Sequence, residues 1–109
     1  MVKRTMLPQL KKYDITQKVM ETLADAEART ILFSMVKKGK TATELSYDLR
    51  IPLSSVYKKL ADLEELTLIQ VEKMNLTEKG RKFKIYRSRI SKADITIKKP
   101  EPYLKLIPN

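Results

Sequence analysis

The sequence predicts a mainly α domain that carries a β-hairpin, an α+β fold, and three observations lead to it. From Ile15 to Leu63 the apolar residues recur at spacings of three and four, as they do on helices that share one core. Two short helical patterns meet at Arg50-Ile51-Pro52, a joint tight enough for a helix-turn-helix. After Leu68-Ile69 the period changes from helical to alternating, the pattern of half-buried strands.

Composition narrows the chemistry. A chain of 109 residues has room for one domain and one core. It contains no cysteine and no histidine, which removes disulfides, thiolate or zinc sites and Cys–His nucleophiles. No metal and no cofactor are expected, and no acid–base pair, nucleophile elbow or phosphate-cradling loop points to an enzyme. No apolar run reaches the roughly 18 residues that a membrane span needs, and no signal-peptide pattern opens the chain. The expectation is a cytoplasmic, nucleoid-associated protein. Its net charge of +10 calls for an acidic partner, nucleic acid before a membrane surface.

The charge is unevenly placed. Residues 1–13 carry four bases and no acid, and residues 14–69 carry eight bases and nine acids. Residues 70–99 then carry ten bases and three acids, while residues 100–109 balance. A near-neutral helical body with basic appendages suits a protein that grips phosphates.

In chain order, residues 1–13 have no clean period and contain Pro8, so they read as an extended or loosely ordered basic arm on which Met6, Leu7 and Leu10 are able to dock. Asp14 is a candidate N-cap for a short helix carrying Ile15, Val19, Met20 and Leu23. Asp25 reads as a second cap, before an apolar stripe of Ala28, Ile31, Leu32, Met35 and Val36. Lys37-Lys38-Gly39 supplies bases and a glycine where a helix should stop. Thr41-Ala-Thr-Glu44 is a capping box, followed by Leu45 and Leu49 as inward positions.

The helix predicted over 52–66 organises the rest. Pro52 is tolerated at its start, and Val56, Leu60 and Leu63 share one buried face. Ser54, Ser55, Tyr57, Lys58 and Lys59 fall on the other faces, and no acid follows until Asp62. Bases at the front and acids at the back oppose the helix dipole, an order that a DNA-reading helix has reason to adopt. An ordinary solvated face is the alternative.

Beyond it, QVEKM reads as a strand, Asn75 to Gly80 as a polar turn and RKFKIYRS as the returning strand. Phe83 and Ile85 then face one side, and Lys82, Lys84 and Tyr86 the other. Lys79, Arg81, Lys82, Lys84, Arg87 and Arg89 fall within eleven residues. Such a basic hairpin directly after a recognition helix is a wing, and the whole reads as a winged helix-turn-helix over 14–90. LTEKGRKF also fits the start of a further helix capped by Thr77. Asp94–Ile97 alternates as a short strand, and three prolines in 100–109 favour an extended tail. In that 91–109 segment, Tyr103, Leu104, Leu106 and Ile107 are apolar enough to pack on the body or across a dimer.

The stretch from Val19 to Arg89 resembles the archaeal and bacterial ArsR-like winged-helix regulators. VMETLADAEARTIL is similar to their first helices, TATELSYDLRIPLSSVYKKLADLEELTLI to their helix-turn-helix and GRKFKIYR to their returning wing strand. IPLSSVY is also similar to the sugar-responsive TrmB-like regulators. Thr67 stands where these families usually place glycine, and the ligands of metal-sensing members have no counterpart. The resemblance therefore implies DNA binding without metal sensing. It also implies a homodimer formed through terminal segments, here the 14–23 helix and the apolar tail.

The expected function is sequence-selective binding of double-stranded DNA by a dimeric transcriptional regulator. Ser54, Ser55, Tyr57, Lys58 and Lys59 are the candidate major-groove residues. Lys79, Arg81, Lys82 and Lys84 are candidates for the minor groove and phosphates, with Thr41 or Thr43 at a phosphate near a helix start. The rival reading is a protein-interaction or non-specific DNA-binding module of a transcription, replication or chromatin assembly, with a partner covering 103–107. An RNA-binding module is disfavoured by the lack of an aromatic platform.

Overall fold

The computed structural model describes residues 7–109, with side chains from Ile15 onward. Its elements are α1 (Leu7–Ala24), α2 (Ala26–Ser34), α3 (Ala42–Leu49), α4 (Leu53–Glu65), β1 (Ile69–Leu76), β2 (Lys82–Ser88), β3 (Ile90–Thr96) and β4 (Tyr103–Pro108). Among the described residues the fold is α+β, with four helices and two separate antiparallel hairpins, β1–β2 and β3–β4. No described helix is long and apolar enough to cross a membrane.

The first helix corrects the expected arm. It already runs from Leu7, so Asp14 lies within a helix and does not cap one. Pro8 is its second residue, in the turn where a missing N–H breaks no intrahelical bond. Residues 1–6, including Met6, lie outside the described part. Val19 and Leu23 are buried as expected, whereas Ile15 is exposed.

Asp25 caps α2, its Oδ2 accepting from the Ala28 N–H at 2.9 Å. Ala28, Ile31, Leu32 and Met35 are buried, and the helix ends at Ser34 with Met35 as C-cap, before the expected lysines. Gly39 thus has another role than stopping α2. A Cβ there would lie 2.5 Å from Glu72 Oε1, 2.7 Å from Ile85 Cγ2 and 3.1 Å from the Tyr86 carbonyl, so glycine is what lets the chain pass against β2. Lys40 then makes a two-way backbone bridge with Tyr86.

The α3–α4 joint falls at Arg50-Ile51-Pro52, as its sequence predicts. Arg50 takes a left-handed conformation (φ 57°, ψ 44°) in place of the common glycine. Ser46 Oγ donates to the Ile51 carbonyl at 2.6 Å and closes the turn. Helix α4 packs against both α2 and α3 through Val56, Leu60 and Leu63. Each such side chain stabilises the fold by about 1.5–3 kcal/mol when removed from water. Leu68, Ile69, Tyr86 and Ile90 complete the core from the hairpin side.

The β1–β2 turn spans Thr77–Arg81, later than expected, and a hairpin turn rather than a helix start. Thr77 Oγ1 accepts from the Arg81 N–H at 3.0 Å, and Gly80 sits at φ 80°. The register shifts between Val71 and Lys73, which leaves Glu72 as an unpaired bulge residue. Glu72 turns to Arg87, Oε2 to Nη1 at 2.9 Å.

The extended tail is replaced by a second hairpin. β4 pairs with β3 from Thr96↔Tyr103 to Ile90↔Pro108, so the prolines flank or end the strand and leave its pairing intact. Leu104 and Leu106 pack on the core with Ala93, while Tyr103 remains exposed. Asn109 fixes the end, its Nδ2 donating to the Val36 and Ser88 carbonyls at 2.9 Å.

Candidate nucleic-acid interface

The burial of Val56, Leu60 and Leu63 decides which side chains α4 turns outward. Leu53, Ser54, Tyr57 and Lys58 are exposed, and Ser55 is half-buried. Lys59 does not join them. Its Nζ lies 2.9 Å from Asp25 Oδ2, at the cap of α2. That hydrogen bond is the main cause holding the Asp25 carboxyl below its ordinary range and the Lys59 ammonium above its own. Lys59 is therefore a tie between α4 and α2.

Thr41 is similarly engaged. Its Oγ1 accepts from the Glu44 N–H at 3.1 Å, and Glu44 Oε1 accepts from the Thr41 N–H at 2.9 Å. The backbone donor of Thr41 is the main cause that lowers the Glu44 carboxyl pKa. Thr43, the second residue of α3, is exposed.

On the first hairpin Lys79, Arg81, Lys82 and Lys84 are exposed, and none of them forms an ion pair with the described residues. Arg87 behaves differently. Besides Glu72, its guanidinium donates to the Val36 carbonyl at 3.0 and 3.2 Å and to the Lys37 carbonyl at 3.2 Å. It clasps the loop that follows α2 and is not a free cation.

Alternation explains where the remaining lysines point. Tyr86 shares a face with Lys82 and Lys84 but is only 6 % exposed, so that face turns toward the helical body and not away from it. Burial also pushes the Tyr86 phenol pKa up. Nearer the tip the same face overhangs a cleft of about 390 Å³ between α3, α4 and the hairpin. Thr41, Thr43, Tyr57, Lys82 and Lys84 all line it. Five of the eleven candidates thus meet in one place, from three separate elements. The structure does not gather the others there: Ser54, Ser55 and Lys58 belong to the rest of α4, Lys79 and Arg81 to the hairpin turn, and Lys59 to the α2 contact.

Ala42, Met74, Phe83 and Tyr86 line the same cleft and were not expected at a site. The alternation of β2 contained the signal for Tyr86, because it shares the lysine face, but only its burial shows which way that face points. Chemically, the cleft offers hydroxyls, two ammonium groups and aromatic edges to an anionic, partly apolar ligand. The sequence matches no known protein family and no curated protein.

Proposed function

We propose that the chain is a winged helix-turn-helix protein that binds double-stranded DNA sequence-selectively as a homodimer and regulates transcription, as the ArsR-like regulators it resembles in sequence do. In this reading α4 is the recognition helix, β1–β2 is the wing, and one DNA strand runs along the cleft between them. Ser54 and Lys58 meet base edges, and Tyr57 meets a base or a phosphate. Lys79, Arg81, Lys82 and Lys84 hold phosphates or enter the minor groove, while Thr43 hydrogen-bonds a phosphate.

The observation that carries the reading is the division of the cations. Lys59 and Arg87 are consumed in contacts within the fold, whereas Lys58, Lys79, Arg81, Lys82 and Lys84 are exposed and unpaired among the described residues, on the two elements that flank the cleft. Exposed cations repel one another unless an anion is supplied. Leu104 and Leu106 pack on this chain's own core, which takes them away both from a partner covering 103–107 in the rival assembly-module reading and from a dimer contact through the tail.

The roles divide testably. Lys58→Ala should weaken preferred duplexes more than random ones, by about 1–3 kcal/mol at the preferred site. Arg81→Ala with Lys82→Ala should weaken preferred and random duplexes about equally and flatten the salt dependence. Titrations of both variants against both kinds of duplex check this, and the reverse pattern contradicts the roles assigned.

A further inference from the structure

The outward face of α4 is not uniformly polar. Leu53 is 41 % exposed and Tyr57 is 52 % exposed. Their spacing of four stacks them along one line of the helix. Ser54 and Lys58, each one position further on, form a second line beside the first. Two large apolar side chains are thus held toward water next to a hydroxyl and an ammonium, and Tyr57 also borders the cleft of Lys82 and Lys84.

We propose that Leu53 and Tyr57 are specificity residues that read thymine methyl groups in the major groove, an inference that rests on the DNA-binding reading above. The thymine C5 methyl is the apolar group on the major-groove edge of the base pairs. Packing it against leucine or a tyrosine ring removes apolar surface from water on both partners, and a base lacking it leaves Leu53 and Tyr57 partly solvated. Ser54 and Lys58 supply the polar partners for the neighbouring base, Lys58 favouring guanine acceptors. The surrounding positive charge selects a polyanion as the occupant of this face over an apolar protein surface. The preferred site therefore contains thymines where the front of α4 meets the groove.

The test uses the full chain and two synthetic duplexes of alternating adenine and thymine, one with deoxyuridine replacing every thymine, at about 50 mM salt where duplex binding is favoured. The duplexes differ only in the major-groove methyls. The wild-type chain should bind the thymine duplex at least about fourfold more tightly, the factor that burial of one methyl-sized group supplies. Leu53→Ala with Tyr57→Ala should bring the ratio close to one, and Leu53→Ala alone should narrow it in the same direction should the double variant lose its helical circular dichroism. Equal wild-type binding to both duplexes overturns the inference and leaves the DNA-binding reading standing. A preference that persists undiminished in the folded variants also overturns it, because duplex shape then supplies the discrimination. No binding to either duplex overturns the inference and the reading together.

Discussion

Thr67 is a β-branched residue held at φ 58°, just past the end of α4. The Leu68 N–H reaches the Leu63 carbonyl at 3.0 Å and the Thr67 N–H the Glu64 carbonyl at 2.9 Å, the paired bonds of a Schellman stop. A left-handed conformation costs a residue with a Cβ about 1–2 kcal/mol, and glycine avoids that cost. Thr67→Gly should therefore raise stability by about 1 kcal/mol in urea unfolding, less whatever unfolded-state entropy glycine adds. A loss of stability would mean that the Thr67 hydroxyl, which donates to the Leu66 carbonyl at 2.6 Å, outweighs the strain. The caps give a second residue-scale test. Asp25 and Glu44 both have carboxyl pKa values lowered in the folded state, by the Lys59 hydrogen bond and the Thr41 N–H respectively. A lowered carboxyl pKa stabilises above the unfolded value, and the contribution is lost as pH falls through the folded value, here below about pH 4. The raised Lys59 pKa acts in the opposite sense, its contribution being present below the ordinary lysine pKa and lost only in strong alkali. Asp25→Asn keeps a capping side chain and removes the charge, so its stability deficit should be measurable at pH 7 and shrink toward zero near pH 2. An equal deficit at both pH values contradicts the assignment. Both caps were legible in the sequence because their hydrogen bonds close within three residues. The Lys59 partner was not, because it comes from another helix.

At the scale of elements, helices α3 and α4 and their joint were readable because their signals are local: a capping box, a proline and a clean apolar period. The two hairpins were readable only in part. Alternation revealed β2 and the end of β3, but nothing in KKPEPYLKLIPN marks β4, whose register is set by Leu104 and Leu106 meeting a core assembled by distant residues. Residues 7–13 failed for a related reason, since Pro8 looks like a breaker until its place in a first turn is known. Gly39 shows the same dependence on context: read as a helix stop, it is the residue across which Glu72 and Ile85 come close. Gly39→Ala should destabilise the domain by about 1–3 kcal/mol, because Glu72 is tied to Arg87 and cannot move freely. Thermal unfolding measures this, and an unchanged midpoint would show that the hairpin shifts without cost.

For the whole molecule, the decisive feature is a basic hairpin attached to a helical body that is close to neutral. That partition is legible in the sequence, since it depends only on counting charges along the chain. Counting does not show that Lys59 and Arg87 are spent internally, or that Lys82 and Lys84 overhang a cleft shared with Tyr57. The proposed dimer would bring two copies of α4 to half-sites about 34 Å apart. Ile15 on α1 and Ile95 and Ile97 at the second hairpin are exposed apolar side chains available for that contact. With six or more phosphates engaged, affinity should fall by about 10³ or more between roughly 50 and 200 mM salt.

The most direct test of DNA reading is selection from a randomised duplex library at about 150 mM salt, close to the ionic strength at which exposed charges are screened beyond about 8 Å, with an RNA competitor present. A dimeric, sequence-selective protein should enrich a motif with two related half-sites. Recovery of duplexes without any enriched motif, or no recovery at all, would contradict that claim.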